Sequence, residues 1–321
     1  MSPGIPVLLF APLIVCVLAL ALDVRLGEPR RWHPVVGFGR LATALEKRLN
    51  TAPKDPFRSL LAGLFSVFLL TAPVLGLAIW VSVELDGVLL ILIQAVALWL
   101  AISLRGLAEH GRAVAEPLRD GDLEKARDQV SRIVSRKASA LDEQGVAAAA
   151  TESMLENGAD AVFASLFWFL VAGMPGVILH RMVNTLDAMW GYRTPRFLYF
   201  GRMAARLDDL MGWVPARLTA LTYMLLGQRE LAWRCWQKQA PQWDSPNAGP
   251  VMAAGAGALN VRLGGPSPYP SGVKHRPVLG GTQHASSDSV DGAIVLVQRG
   301  VRLWLGIVLV TTALLMLMVY L

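Results

Sequence analysis

Carboxylate and amide side chains interrupt two otherwise apolar stretches of the chain. The first lies at residues 152–160 (ESMLENGAD) and the second at residues 184–187 (NTLD). Each adjoins a strongly hydrophobic segment, and a carboxylate beside a membrane costs free energy unless water, a cation or a counter-charge meets it. We therefore expect a polar cavity at the edge of a bilayer, and such a cavity suggests chemistry.

The first stretch places three carboxylates on one helical stripe. At 3.6 residues per turn, Glu152, Glu156 and Asp160 follow one another on the same face, with Asn157 beside them. Such carboxylates repel one another unless a cation or arginines lie opposite. A solvated face of a cytosolic helix is the alternative interpretation, and the apolar residues on either side argue against a simple wet face.

The second stretch is shorter and mixes an amide, a hydroxyl and an acid. Asn184 and Asp187 share a face at a spacing of three residues, with Thr185 next to them. A polar patch that joins helices would have this pattern. A contact to a metal, a nucleotide or a substrate amide would have it too.

A third segment alternates arginines and aspartates. Arg202, Arg206 and Asp209 lie on one helical face and Asp208 on the other, and Arg217 adds a further cation downstream. An intrahelical ladder of ion pairs is one interpretation, worth only about 0.3–0.5 kcal/mol per pair. The other is a phosphate clamp of guanidinium groups with an aspartate pair for Mg²⁺.

Composition identifies the environment in which these groups work. Of 321 residues, 54% are hydrophobic and 17% are charged, where soluble domains carry about 25% charged residues. The mean hydropathy is +0.46. These values predict an all-α, polytopic integral membrane protein. The net charge of +6 comes from scattered arginines with no basic run longer than two, so nucleic-acid binding is not expected.

Four apolar runs approach the roughly 20 residues that a membrane-spanning helix needs. They lie at residues 6–22, 60–83, 88–104 and 303–321. Arginine and lysine are concentrated at 23–59 and 105–137, whereas the turn at 84–87 carries only acids. The positive-inside rule therefore places loops 23–59 and 105–160 in the cytoplasm.

A fifth apolar run, at 161–179, would leave the arginine-rich segment 180–300 outside if it spanned. Gly173 and Pro175 interrupt it, and we expect a broken, re-entrant helix pair. We also expect a helix over 195–226 broken at Pro215, a loop over 263–291, and no strand pattern.

The expected domain organisation is one membrane-embedded domain over residues 1–321. Three membrane helices (1–104) precede cytosol-facing helices and a loop (105–300), and a last membrane helix (301–321) follows. Motifs for a P-loop, a serine nucleophile or a zinc site are absent from the sequence. A single His33 is more often a structural or surface residue than a ligand.

Several short motifs, read in order, resemble one known family. They are Leu26-Gly27-Glu28-Pro29 with His33-Pro34, Leu141-Asp142-Glu143, Glu152-Ser153-x-x-Glu156-Asn157 with Asp160, Asn184-Thr185-Leu186-Asp187-x-Met189-x-Gly191-Tyr192, Phe200-Gly201, Ala205-Arg206-Leu207-Asp208-Asp209, Pro215-Ala216-Arg217-Leu218, and Gly257-Ala258-Leu259-x-Val261-Arg262-Leu263-Gly264-Gly265. This series resembles the adenosylcobinamide-phosphate synthase family of cobalamin biosynthesis (CobD/CbiB) over roughly residues 20–265.

The resemblance implies a multi-pass ligase of the bacterial inner membrane whose active site faces the cytoplasm. Such an enzyme joins adenosylcobyric acid to an amino-alcohol phosphate, such as (R)-1-amino-2-propanol phosphate, and depends on ATP and Mg²⁺. The implied partners are the corrinoid substrate, the amino-alcohol phosphate and the lipid bilayer, and the oligomeric state is left open.

We assign the polar residues of the matching motifs to this chemistry as a hypothesis. They are Glu152, Asn157, Asp160 and Asp187 in catalysis, His33, Arg136, Asn184, Thr185, Arg206 and Arg217 in binding substrates or phosphate, and Asp208 and Asp209 on Mg²⁺.

The chain departs from the family pattern before Leu141. The family usually has an Arg-Asp-Thr-like triplet, and this chain has Arg136-Lys137-Ala138. The loss of an acid and a hydroxyl would alter activity if they bind substrate or metal, and would cost about 1 kcal/mol if they cap a helix. The alternatives to an enzyme are a non-catalytic sensor or regulatory paralogue and a transporter that uses the broken helix at Pro175.

Overall fold

A computed structural model describes residues 5–29, 33–269 and 272–320. These residues form twelve α-helices, which we number α1 to α12 in chain order. Their bounds are Ile5–Leu26, Pro34–Leu49, Pro56–Glu84, Gly87–Ala101, Leu104–Arg119, Leu123–Ser131, Glu143–Asn157, Ala164–Trp190, Arg202–Leu226, Arg229–Gln239, Ala248–Ala258 and Ser287–Tyr320.

Short elements complete the described secondary structure. Turns of 3₁₀-helix lie at Ala138–Ala140 and Ala240–Gln242, and a π-helical turn at Gly158–Phe163 joins α7 to α8. Strands β1 to β4 are Arg262–Gly264, Ser267–Tyr269, Gly272–Lys274 and Val278–Gly280. β1 pairs with β4 and β2 with β3, both antiparallel.

The expectation of a loop without strands over 263–291 is therefore wrong. Each strand has only three residues, which is too few to show an alternating pattern in the sequence. The last helix also begins earlier than expected, at Ser287. Its polar first turns hide its start from a search for apolar runs.

Four helical stretches are long and apolar enough to cross a membrane, among the residues that the structure describes. They are Pro56–Glu84, Gly87–Arg119, Glu143–Trp190 and Ser287–Val319. Two of them contain the predicted spans 60–83 and 88–104, and a third contains residues 303–319 of the predicted span 303–321. The predicted span 6–22 falls within α1. The fold class, an all-α polytopic membrane protein, is confirmed.

The predicted break near Pro175 is present in α8. Backbone angles are non-helical at Ala172 (φ −132°, ψ 16°) and Gly173 (φ 61°, ψ −152°). Proline lacks the N–H that would bond to the carbonyl four residues earlier, and its ring crowds that carbonyl, so the helix gives way just before it. A re-entrant path through the membrane stays a prediction.

Pro215, in contrast, does not break its helix, and the expected break is wrong. α9 runs continuously from Arg202 to Leu226, beginning after a series of turns rather than at residue 195. The missing proline N–H leaves the carbonyl of Met211 without its helical donor. The indole N–H of Trp168 donates to that carbonyl at 3.0 Å, so α9 keeps its course.

The chain forms two compact units. The first contains residues 1–103, 164–212 and 305–321, and the second contains 104–163 and 213–304. In the first unit, Trp190 and Phe200 meet edge-on at 4.9 Å in a core that also holds Val67, Leu70 and Leu186. The predicted organisation as one domain stays a prediction.

The second unit is built around α7, α10 and α11. The hydroxyl of the buried Tyr223 donates to the carbonyl of Leu155 at 3.0 Å, and its ring meets Phe163 edge-on at 6.0 Å. Phe163 also packs on Trp304 at 5.2 Å. These contacts hold the carboxyl end of α7, which carries the first group of polar residues.

Candidate functional site

The second unit encloses a polar cavity of about 320 Å³. α7 contributes one wall, and the segments 133–136 and 243–248 and the strands β2 and β3 contribute the others. The polar and charged residues of the lining are Ser135, Arg136, Glu152, Ser153, Glu156, Asn157, Asp244, Ser245, Tyr269, Lys274, His275 and Arg276.

Glu152 is the buried anchor of this cavity. Its side chain is only 4% exposed. The carboxylate accepts from Arg276 Nη1 at 2.7 Å, from Arg276 Nη2 at 3.1 Å and from the backbone N–H of Gly264 at 2.8 Å. Arg136 Nη2 also donates to it. Glu152 therefore binds α7 to the segment around the strands, with both of its oxygens engaged.

Two guanidinium groups share this one carboxylate through hydrogen bonds. Burial lowers the pKa of Arg136, and the charge of Arg276 lowers it further, while Tyr269 and Glu156 oppose the shift. Burial likewise lowers the pKa of Arg276, against the influence of Tyr269 and Glu156. Arginine stays protonated at neutral pH, so these two cations of the cavity wall face two carboxylates, Glu152 and Glu156.

The other predicted residues of α7 differ in their surroundings. Asn157 lines the cavity, and its Nδ2 donates to the carbonyl and hydroxyl of Ser153 at 2.9 and 3.0 Å. Glu156 also lines the cavity, and no hydrogen bond or ion pair joins it to another residue in the described part of the chain. Asp160 lies in the π-helical turn and is not among the lining residues.

Our reading of the sequence missed Arg276, Tyr269 and Lys274 as site residues. They lie in or beside the strands of a segment that we expected to be a loop. The one available signal was the basic triplet Lys274-His275-Arg276 in a segment otherwise rich in Gly, Pro and Ser.

Lys137, which departs from the family triplet, lies just before a short 3₁₀ turn. Lys137 is exposed, and its backbone N–H donates to the carbonyl of Pro268 at 3.0 Å. It precedes the 3₁₀ turn at Ala138–Ala140 and makes no capping hydrogen bond with its side chain. An acid at this position would be able to cap that turn.

A second cavity of the same unit, about 670 Å³ in volume, is an aromatic cleft. Trp233, Trp236 and Trp243 line it together with Arg217. The Arg217 guanidinium lies 4.3 Å from the centre of the Trp213 ring. It donates to neutral acceptors, which are the carbonyl of Trp213 at 2.8 Å, Asn247 Oδ1 at 3.1 Å and the carbonyl of Pro246 at 3.1 Å.

Arg217 forms no ion pair within the described residues. Burial lowers the pKa of its guanidinium. A partly buried cation without a counter-charge, beside aromatic rings, is suited to an anionic ligand that carries a ring.

The first unit gathers the remaining predicted residues around an acidic group. Asn184 Nδ2 donates to Asp208 Oδ1 at 3.2 Å, and Arg181 Nη1 donates to Asn184 Oδ1 at 3.3 Å. Burial raises the pKa of Asp208, as does the charge of Asp209, against the Asn184 hydrogen bond and the charge of Arg181. Asp187 lies close enough to both aspartates to interact electrostatically with them.

The donor chemistry of this acidic group fits Mg²⁺. Mg²⁺ prefers oxygen ligands and usually takes one or two carboxylates, with water and substrate phosphates completing its shell. Asp208 and Asp209 supply such oxygens, and burial raises the pKa of both carboxyls, although Arg206 and Arg193 partly offset the effect at Asp209. Among the described residues, no group of three or more His, Cys, Asp or Glu side chains forms a complete metal cage.

His33 and Thr185 have structural contacts in the first unit. His33 Nδ1 accepts from the backbone N–H of Val35 at 3.2 Å and so caps α2. Burial lowers its pKa, with Glu28 opposing and Arg181 adding to the shift. The Thr185 hydroxyl donates to the carbonyl of Arg181 at 2.7 Å. Their roles in substrate binding stay predictions.

The predicted site residues thus divide between the two units. Glu152, Asn157 and Arg136 share one cavity, and Asp187, Asn184 and Asp208 share one acidic group. Arg206 is exposed near Asp209, and Arg217 lines the aromatic cleft. The hypothesis that Glu152, Asp187 and Arg206 face one common pocket stays a prediction.

The fold and these groups define a class: a polytopic, helical membrane protein with a buried, arginine-anchored polar cavity. A sequence profile of the CobD/Cbib protein family matches residues 16–297. The chain belongs to this family of cobalamin biosynthesis proteins.

Bacterial relatives extend the match over most of the chain. The cobalamin biosynthesis protein CobD of Stutzerimonas stutzeri is 54% identical over 291 residues, which cover 91% of this chain and 95% of the relative. That of Chromobacterium violaceum is 52% identical over 290 residues, covering 89% and 92%. That of Rhodobacter capsulatus is 42% identical over 273 residues, covering 83% and 86%. No solved structure matches the chain.

Proposed function

We propose that this chain is an amide-forming ligase of cobalamin biosynthesis. It joins adenosylcobyric acid to an amino-alcohol phosphate such as (R)-1-amino-2-propanol phosphate, with ATP as the activating substrate. The observation that carries the proposal is the cavity of the second unit, in which Arg136, Arg276 and Lys274 line the same space as Glu156. A substrate that carries both an ammonium and a phosphate group needs a cavity lined by both negatively and positively charged side chains.

The reaction must activate the carboxylate of adenosylcobyric acid, because a carboxylate oxygen is a poor leaving group. Transfer of the terminal phosphoryl group of ATP to that oxygen would give an acyl phosphate and ADP. Attack by the amine then forms the C–N bond, and the phosphate departs with the C–O bond electrons. Such a route needs cations around the phosphate groups and a base for the amine.

Each group of residues has a proposed part in this route. Arg206 and Arg217 bind phosphate groups, and Asn157, Asn184 and Asp187 orient the substrates. Asp208 and Asp209 would hold Mg²⁺, which neutralises phosphate charge when bound. The aromatic cleft beside Arg217 offers rings on which a ring-bearing substrate would stack.

The arginine distribution supports the proposed location. Because loops 23–59 and 105–160 are rich in arginine and lysine, the positive-inside rule favours a multi-pass protein of the inner membrane whose active site faces the cytoplasm.

The test is synthesis by the full-length protein in nanodiscs. Adenosylcobyric acid, aminopropanol phosphate, ATP and Mg²⁺ are supplied, and the amide product is detected by mass spectrometry. We expect product from the wild type and none without ATP. A wild type that forms no amide would contradict the proposal and favour a non-catalytic paralogue.

Arg206→Ala tests the phosphate clamp, with Arg202→Ala as its matched control. Both arginines are exposed in the first turns of α9. We expect Arg206→Ala to lower the rate of amide formation at least tenfold and Arg202→Ala to leave it within twofold of the wild type. An undiminished rate in Arg206→Ala would remove Arg206 from the phosphate site.

A further inference from the structure

Two glutamates one helical turn apart on α7 have opposite surroundings in the same cavity. Glu152 is buried and accepts hydrogen bonds from Arg136, Arg276 and the backbone of Gly264. Glu156 lines the cavity, and no described residue donates to it. The two side chains therefore cannot do the same work.

Glu152 has no capacity left for proton transfer. Arg276 occupies both of its oxygens with a bidentate pair, and a second guanidinium and a backbone amide add further donors. Two adjacent cations keep the carboxylate ionised, because protonating it would leave both of them buried without a counter-charge. Its role is to hold the cavity wall in place.

Glu156 has the opposite properties. It is open to the cavity, and none of the residues that the structure describes donates a hydrogen bond to its carboxylate. Arg136 and Arg276 also line the cavity and interact electrostatically with Glu156, although neither donates a hydrogen bond to it. An ionised carboxylate that faces a small cavity is complementary to a ligand cation.

The mouth of the cavity supplies a second contact. Lys274 Nζ lies 2.7 Å from Asp244 Oδ2, and the two side chains are 56% and 78% exposed. Exposed pairs of this kind contribute about 0–1 kcal/mol. A phosphate that offers several oxygens would readily replace Asp244 as the partner of Lys274.

We propose that Glu156 binds the ammonium group of a small amino phosphate in this cavity, with Lys274 on its phosphate, and takes the ammonium proton. This assignment rests on the proposed function and specifies the amine subsite of that reaction. An alkyl ammonium of about pKa 10.4 arrives protonated at neutral pH and must lose a proton before it attacks. That proton passes to Glu156, the nitrogen lone pair forms the C–N bond, and the second amine proton leaves with the departing phosphate.

The experiment measures binding, independently of catalysis. Calorimetry on the full-length protein in nanodiscs compares 1-amino-2-propanol phosphate with 1,2-propanediol 2-phosphate, which has a hydroxyl in place of the amine. We expect the wild type to bind the amine at least tenfold more tightly. Glu156→Gln should reduce that preference to less than twofold.

Glu143→Gln is the matched control, because Glu143 is an exposed glutamate in the first turn of the same helix. It should keep the wild-type preference. Glu156→Asp keeps the charge and should restore part of the preference if Glu156→Gln unfolds. Lys274→Gln should weaken the binding of both phosphates equally, and an unchanged affinity would overturn the assignment of Lys274.

A full amine preference in Glu156→Gln would overturn the inference, as would a wild type with no preference. The synthesis assay separates this result from a failure of the proposed function. If binding depends on Glu156 but no amide forms, the ligase proposal fails and the binding site stands. If amide forms and Glu156→Gln keeps the preference, only the inference fails.

Discussion

Glu152 and Arg276 form a bidentate ion pair across 124 residues of sequence, at 2.7 and 3.1 Å. Both side chains are buried, at 4% and 7% exposure. Arg276 also donates to the Ser267 hydroxyl at 3.0 Å and lies over the Trp243 ring. A single pair thus fixes one helix, two strands and one aromatic wall of the cavity.

Replacing Glu152 by Gln should therefore destabilise the protein strongly. The change leaves two buried guanidinium groups without their carboxylate, and breaking a buried pair of this kind costs about 3–5 kcal/mol. Denaturant unfolding in detergent, followed by tryptophan fluorescence, measures the loss. Glu156→Gln is the control, and we expect it to change the free energy of unfolding by no more than about 0.5 kcal/mol. Equal losses from both variants would contradict the distinction between the two glutamates.

Gly264 and Gly265 offer a matched pair of backbone tests. Both have positive φ, 77° and 73°, so alanine at either position incurs a conformational cost of about 1–2 kcal/mol. A Cβ on Gly264 would also lie 2.0 Å from the carbonyl oxygen of Pro277, whereas a Cβ on Gly265 would meet no atom within 4 Å. We expect Gly264→Ala to be clearly less stable than Gly265→Ala in the same unfolding assay. The backbone N–H of Gly264 donates to Glu152, so Gly264→Ala should also weaken the binding of the amino phosphate. Equal stability of the two variants would contradict the packing around Gly264.

Mg²⁺ should stabilise the wild type against heat through Asp208. Asp208 and Asp209 repel one another, and a bound cation would relieve that repulsion. A ligand that binds only the folded state raises the stability of the protein, by about 2.7 kcal/mol at a hundred times its dissociation constant. Asp208→Asn should melt at a higher temperature than the wild type without metal, and Mg²⁺ should not raise its melting temperature further. Asp120→Asn, at an exposed aspartate in the turn that follows α5, should respond to Mg²⁺ as the wild type does. If Mg²⁺ does not change the melting temperature of the wild type, the assignment of Asp208 and Asp209 to Mg²⁺ is wrong.

The Glu46–Arg196 ion pair makes the folding stability of the first unit depend on pH. Burial raises the pKa of Glu46, but hydrogen bonds from Arg196 and Asn50 and the charges of Arg196 and Lys47 outweigh it, so the pKa lies below its usual 4.5. A carboxyl with a lowered pKa contributes stability above its unfolded value and loses it as the pH falls through the folded value. We expect Arg196→Gln to be less stable than the wild type at pH 6.

The difference in stability between Arg196→Gln and the wild type should disappear as the pH falls below 4.5. Glu46 then becomes protonated in the wild type, which loses the stability that the Glu46–Arg196 pair contributes. Melting temperatures between pH 3 and pH 7 measure it. Arg40→Gln, at an exposed arginine of α2, should track the wild type throughout. A constant difference over the whole range would show that Arg196 acts through packing rather than through the charge of Glu46.

Hydropathy and local spacing were enough to predict the membrane helices and much of the helical order. The apolar runs at 60–83 and 88–104, and residues 303–319 of the last run, lie within observed helical stretches long enough to span. The break before Pro175 also follows from local chemistry, because a missing N–H acts within one turn of its own helix. The spacing predicts a shared polar environment for Glu152, Glu156, Asn157 and Asp160. The first three line one cavity, and Asp160 is not among its lining residues.

Pro215 shows where local rules stop. The same chemistry predicts a break there, but the Trp168 indole replaces the missing donor from another helix. The three-residue strands are similar, because each is too short to carry a pattern and exists only through its antiparallel partner. The division of labour on α7 also depends on distant residues, since Arg276 reaches Glu152 and leaves Glu156 open.

The amino-acid sequence therefore determines which segments enter the bilayer and which helices form. The free energy of transfer into the bilayer and the helical hydrogen bonds both depend on residues that are close together in the chain. Folding alone selects which of two equivalent glutamates is neutralised by arginine and which faces the cavity. That choice depends on the partners that the packing of remote segments brings within 3 Å, a distance at which charge and hydrogen bonding are strong.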